Sequence, residues 1–255
     1  MTASLILTAL AGVPTIGADH DLAAVIAAAL ERSDVSLRDN DILILAQKIV
    51  SKAEGRAVSL STVTPSKRAR ELAARSNKDP RLVELILRES SDVLRCRPGL
   101  LIVVHRLGFV LANAGIDASN VEAADGAETV LLLPADPDAS AAKLRARLRE
   151  TLGVDVGIII NDSFGRAWRL GTIGTAIGVA GVPGLLDLRG SPDRCGRPLR
   201  VTEVGIADEV AAAASLLMGQ TAEGRPIVHI RGFPYPPRPG TAAELIRPPQ
   251  MDLFR

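Results

Sequence analysis

Apolar residues along this chain follow two spacings, and each predicts its own kind of element. Between Asp21 and Arg32 they fall at Leu22, Val25, Ile26, Ala29 and Leu30, the i, i+3, i+4, i+7, i+8 stripe of a helix with one buried face. The run ILILA that follows the polar turn Asp39-Asn40-Asp41 has no polar interruption and predicts a strand buried on both faces. Shorter apolar runs predict strands at SLILTA (4–9), TVLLL (129–133), VGIII (156–160) and IVHIRGF (227–233). LLIVVHRLGFVLANAG (100–115) predicts two strands joined by a tight turn at Leu107-Gly108.

Local stop and start signals complete the map. Thr64-Pro65 and Asp79-Pro80 pair a capping residue with proline, which predicts helices starting there and running to about Ser76 and Glu89. A further helix carries Ala141, Leu144, Leu148 and Leu152 on one face, and an Ala-rich one runs from Ala207 to Met218. The latter places Val210, Ala213, Ala214 and Leu217 on one side and stops at Gly219. NDSFGRAWRLGTIGTAIGVAGVPGLLDLRG (161–190) is dense in glycine and predicts a loop-rich site or interface. Strands and helices are mixed without strict alternation, so the expected fold is α+β, with mixed sheets and flanking helices in a single domain of two lobes spanning 1–255.

Composition narrows the function classes. Of the residues, 47% are hydrophobic, enough for a sizeable core, and 30 Lys+Arg against 29 Asp+Glu give a net charge of +1. Bulk attraction to nucleic acid or to an anionic membrane is therefore not expected. With no basic leader and no apolar run long enough to span a bilayer, the expected location is cytoplasmic. Cys96 and Cys195 stand far apart, and His20, His105 and His229 are scattered, which argues against a disulfide framework or a structural zinc site. There is no P-loop signature and no Gly-x-Gly-x-x-Gly turn between a strand and a helix.

Candidate chemistry lies in two acidic segments that follow apolar strands, NAGIDASNVE (113–122) and INDSFGR (160–166), both expected as loops. Asp117 and Asp162 are the leading candidates for hard-cation ligands, with the Ser163 hydroxyl beside one of them, because Mg²⁺ and Mn²⁺ prefer carboxylate oxygen and share it with substrate phosphate. Turn capping is the alternative role for both acids. Lys48, Lys52, Arg166 and Arg169 are cations suited to a polyanion, although Lys48 and Lys52 also read as a solvated i, i+4 face. Trp168, the sole tryptophan, either stacks on a planar ligand or fills a hole in the packing. MGQTAEGRP (218–226) follows a helix C-terminus, where partial negative charge suits a metal or a base edge.

Taken in order, SKAEGR (51–56), NAGIDASNVE, DSFGRAWR with AIGVAG (176–181), and VTEVGIADEVAAAASLLMG (201–219) resemble the coenzyme F420:L-glutamate ligase (F420-0:gamma-glutamyl ligase) family from about Val13 to Phe233. The resemblance implies an enzyme that uses GTP to activate the terminal carboxylate of a deazaflavin, F420-0, as an acyl phosphate that L-glutamate then attacks. It implies Asp117 and Asp162 on one divalent metal, Mg²⁺ or Mn²⁺, and Ser163 with Gln220 on a second, with K⁺ as an additional ion. It further implies Asp117, Asp162, Lys52 and Arg166 in catalysis. Its nucleotide site comprises Val13, Pro14, Thr15, Ile16, Gln47, Lys48, Lys52 and Asn120, closed by Met218, Gly219, Gln220, Thr221, Ala222, Glu223, Gly224 and Arg225. Ser163 stands where threonine is expected, Gln47-Lys48 where Ser-Thr is, and Gln220 where an acid is; Asn161 and Ala167 also depart from the commoner pattern. The resemblance implies an intertwined homodimer without a fused nitroreductase-like domain. The rival readings are the same chemistry on another acidic acceptor and a GTP- and metal-binding sensor without turnover.

Overall fold

The structure, a computed structural model, describes residues 4–117, 128–236 and 238–252. Along the chain, β1 (Ile6–Ala9) leads to α1 (Leu22–Arg32), whose first turn is capped by the Asp21 carboxylate accepting from the Ala23 and Ala24 N–H groups. The ILILA run forms β2 (Ile42–Ala46), with Ile42 to Leu45 fully buried, and passes without a loop into α2 (Gln47–Ala53).

The next segment holds β3 (Ala57–Ser59), α3 (Lys67–Ser76), α4 (Pro80–Arg88), β4 (Ser90–Arg97), β5 (Leu100–His105), β6 (Val110–Ala112) and β7 (Thr129–Leu131). Helix α4 starts as its sequence predicts, with Asp79 capping and Pro80 at the first helical position. Helix α3 is capped by Ser66, not Thr64: the Ser66 hydroxyl accepts from the Ala69 N–H while its own N–H goes to Glu84. Pro65 is left outside the helix. Sequence periodicity misses β3 and β4; β4 is an edge strand with no buried residue and two register irregularities, so it has no apolar alternation to detect.

After α5 (Pro137–Leu152), the chain makes β8 (Gly157–Arg166) and β9 (Arg169–Ala180), then the short β10 (Leu186–Asp187) and β11 (Glu203–Val204), α6 (Ile206–Met218) and β12 (Ile227–Arg231). INDSFGR is therefore strand and not loop, and the glycine-dense stretch holds the outer half of β8, the turn and the whole of β9, two arms of one long hairpin, before it reaches β10. Helix α6 buries Ile206, Ala207, Val210, Ala211, Ala214 and Met218, a face turned by about one position from the expected one.

The main sheet has the order β1-β12-β2-β8-β9, with β2 and β8 parallel and the other pairs antiparallel. This combination of helices with mixed sheets makes the fold α+β. A register shift at Ile160/Asn161 places Gly178 and Gly174 of β9 on opposite faces. A Cβ at Gly178 would strike the Pro137 backbone of α5, and one at Gly174 would strike Ser215 and the Ala211 carbonyl of α6. Helices α5 and α6 thus cover opposite faces, and the small residues of AIGVAG and AAAAS serve packing within one chain. The largest apolar cluster fills this sheet and its helices; smaller ones lie under α3, α4 and β5 and beside the β3–β7 pair. Glu89, held near Arg56, Arg106 and His105 by contacts of 3.1–3.5 Å, links these segments.

Candidate active site

Strand β2 stops at Ala46, opposite Asn161 of β8. Beyond that point β8 keeps β9 on one side but has lost β2 on the other, so Asp162 and Ser163 sit where the sheet opens. A cavity of about 280 Å³ occupies the opening. Its walls are the start of α2 (Gln47, Lys48, Ile49), Asn161 to Ser163 of β8, and the turn after α6, Met218 to Thr221 and Gly224 to Pro226.

Charge is concentrated at one corner. The Lys48 ammonium lies 2.7 Å from the Asp117 carboxylate, and Asp117 is held by a two-way backbone bridge to Leu131. Asp162 accepts from the Ser163 N–H at 2.8 Å. Burial pushes the Asp162 carboxyl up to about 6; the Ser163 N–H works against the rise, Asp117 adds to it and Lys48 partly offsets it. The pair is therefore short of positive charge, and its donors are hard oxygens of the kind Mg²⁺ and Mn²⁺ take while leaving positions for phosphate. Among the described residues, no third His, Cys, Asp or Glu joins the group. On the other side of β8 the Ser163 hydroxyl donates to the Gln220 side-chain oxygen at 3.1 Å, bringing two neutral oxygens to the same opening. The two carboxylates and the Ser163–Gln220 pair are hard-oxygen donors suited in chemistry to divalent cations.

The remaining expected residues divide. Met218, Gly219, Gln220, Thr221, Gly224 and Arg225 line the cavity. Glu223 folds back so that its carboxylate accepts from the Thr221 N–H at 2.8 Å; it and Ala222 lie outside the lining. The Gln47 side chain is buried, and its amide nitrogen donates to Ser51 and the Leu132 carbonyl. Lys52 is half-buried one turn beyond Lys48. Val13, Pro14, Thr15 and Ile16 do not line the cavity, and Ile16 belongs to the core. Arg166 stands at the far end of β8. Asn120 lies outside the described residues, as does most of NAGIDASNVE after Asp117.

Asn161, noted in the sequence only as a departure from the family pattern and given no role there, lines the cavity. It is 5% exposed, and its amide donates to Ser215 and the Met218 sulfur at 3.2 and 3.5 Å, while its oxygen has no partner. The available signal was an amide ending the apolar run VGIII in a core strand. His229 instead belongs to a buried network at the opposite end of the main sheet, where it meets Asp41 at 2.9 Å and Arg231 clamps the same carboxylate. Burial alone would raise Asp41, but Arg231, His229 and the Arg38 N–H together hold it below the usual carboxylate range.

Comparison with known proteins shows the family. The family model for F420-0:gamma-glutamyl ligase matches residues 12–232. The chain is 47% identical over 246 residues to the coenzyme F420:L-glutamate ligase of Methanothermobacter thermautotrophicus, covering 96% of both chains. It is 48% identical over 239 residues to that of Methanopyrus kandleri, covering 92% of this chain and 91% of the relative. The corresponding ligase of Archaeoglobus fulgidus is 44% identical over 244 residues, covering 96% and 94%.

Proposed function

Since the chain belongs to the F420-0:gamma-glutamyl ligase family and is a ligase, we propose that it joins L-glutamate to F420-0 at the expense of GTP. The observation that supports the site is the convergence of Lys48, Asp117, Asp162, Ser163 and Gln220 at the opening between β2 and β8. In this reading the nucleotide enters the cavity with its phosphates toward Asp162 and the turn after α6 at its side. The terminal carboxylate of the deazaflavin attacks the γ-phosphorus, the bond to the bridging oxygen breaks, and GDP leaves an acyl phosphate behind. The glutamate amine then attacks the acyl carbon, the C–O bond to phosphate breaks, a proton leaves the nitrogen, and the amide remains.

Divalent ions held by Asp117 and Asp162, and by Ser163 with Gln220, would supply charge neutralisation on the phosphate oxygens, the main demand of phosphoryl transfer. The protein's own part is positioning. Ser163 and Asp162 are fixed by the β8–β9 pairing, Lys48 by a helix whose start is set by the end of a core strand, and Asp117 by its backbone bridge. Lys48 holds the acids together before substrates arrive, and its ammonium then lies within reach of incoming phosphate. Mass spectrometry of the protein incubated with F420-0, L-glutamate, GTP and Mg²⁺ or Mn²⁺, with each component omitted in turn, tests this directly. The expected product is heavier by glutamate residues and depends on GTP and metal; absence of any mass shift overturns the assignment.

A further inference from the structure

The β8–β9 hairpin carries the site at its base and ends in a tip with three unusual features. Trp168 has φ of +64°, a left-handed turn conformation that Gly or Asn adopts far more readily than a bulky aromatic. Its indole is 87% exposed, so it does not fill a hole in the packing, although the chain has only six aromatic residues in all, one Trp, one Tyr and four Phe. Flanking it, Arg166 and Arg169 are direct cross-strand partners, a juxtaposition of like charges that costs stability unless an anion sits between them. Both are exposed. Among the described residues neither has a carboxylate within ion-pair distance, and Arg166 donates to the Leu170 carbonyl at 3.4 Å.

These features share one explanation in a ligand that is flat at one end and anionic along its length. From Asp162 to Arg166 the strand advances about 13 Å at ~3.3 Å per residue, so a molecule whose carboxylate reacts beside Asp162 reaches the tip only with an extended arm. We propose that Arg166, Trp168 and Arg169 recognise the acceptor: the indole stacks on its ring system, and the two guanidinium groups hold an anionic group on the arm between the ring and the reacting carboxylate. This rests on the reading of a deazaflavin acceptor. Stacking on an aromatic tolerates strain and exposure in the free protein because the exposed face is the binding surface, and paired arginines match oxyanions through their planar forks.

Because Trp168 is the sole tryptophan, its emission reports on the tip alone. Titrating F420-0 into the full chain without GTP is expected to quench that emission saturably, and an unchanged emission overturns the proposal whether or not turnover occurs. In steady-state assays, Trp168→Ala is expected to raise KM for F420-0 at least tenfold, with a smaller change in kcat and none in KM for GTP, and Trp168→Phe is expected to recover most of the loss. Equal KM for F420-0 in wild type and Trp168→Ala sinks the proposal while leaving the ligase reading intact; failure of the wild-type chain to ligate F420-0 sinks the ligase reading instead. Loss of a dimer in Trp168→Ala by sedimentation, with acceptor KM unaltered, assigns the tip to contact between chains and overturns acceptor recognition.

Discussion

Asp162 is where burial and charge act most strongly on one residue. Its carboxyl is pushed up to about 6, mainly by burial and further by Asp117, so the ionised form is unfavourable in the protein until a cation arrives. Asp162→Asn is therefore expected to abolish turnover while the metal-free melting temperature at pH 7 stays level or rises, which calorimetry and a product assay together check. A fall in melting temperature would mean that the carboxylate holds the fold together. Lys48 presents the complementary case, since its ammonium occupies Asp117 at 2.7 Å and competes with any cation for that oxygen. Lys48→Met is expected to lower turnover by about 10²-fold or more, the scale of losing one charge-stabilising group, while titration calorimetry without nucleotide shows Mn²⁺ bound at least as tightly as by wild type. Asp117 and Asp162 were legible in the sequence because an acid close behind an apolar run is chemically conspicuous. Asn161 was not, because its role depends on Ser215 and Met218, which stand 54 and 57 residues further along.

At the scale of elements, the β8–β9 hairpin is the part that local signals misread. Glycine density ordinarily marks turns, yet here it serves two helices that approach the same strand from opposite faces. Gly178→Ala forces a methyl group into the Pro137 backbone and is expected to destabilise the protein by about 1–3 kcal/mol, the usual cost of overpacking. Urea denaturation measures it, and a midpoint equal to wild type would contradict the close approach of α5. By contrast, α1 and α4 were predicted closely, since an aspartate cap and an apolar stripe act within a few residues of one another. The cap of α3 moved to Ser66 because Glu84, from the neighbouring helix, takes the Ser66 N–H.

Across the whole molecule, Glu89 is the point where the segment between α2 and β7 is tied together. Burial alone would raise its carboxyl, but His105, Arg106 and Arg56 overcome that and hold it at about 2, below its ordinary 4.5. A carboxyl depressed in the folded state stabilises above its unfolded value, and that stability is lost as pH falls through the folded one. Stability is thus expected to decline between about pH 4.5 and 2, by at most ~3 kcal/mol from this group, and Glu89→Gln to flatten that part of the curve in acid titrations followed by circular dichroism. The same balance of local and distant causes separates what could be read early from what could not. By itself the sequence determined the reaction class, through ordered motifs that need no contact map, and most helices and strands, through periodicities complete within one element. Tertiary structure decided that Lys48 meets Asp117, that Ser163 meets Gln220, and that the site opens where β2 ends beside Asn161. Those facts depend on strand order and on the register shift at Ile160/Asn161, and a displacement of one residue there would send Asp162 and Ser163 to exchanged faces.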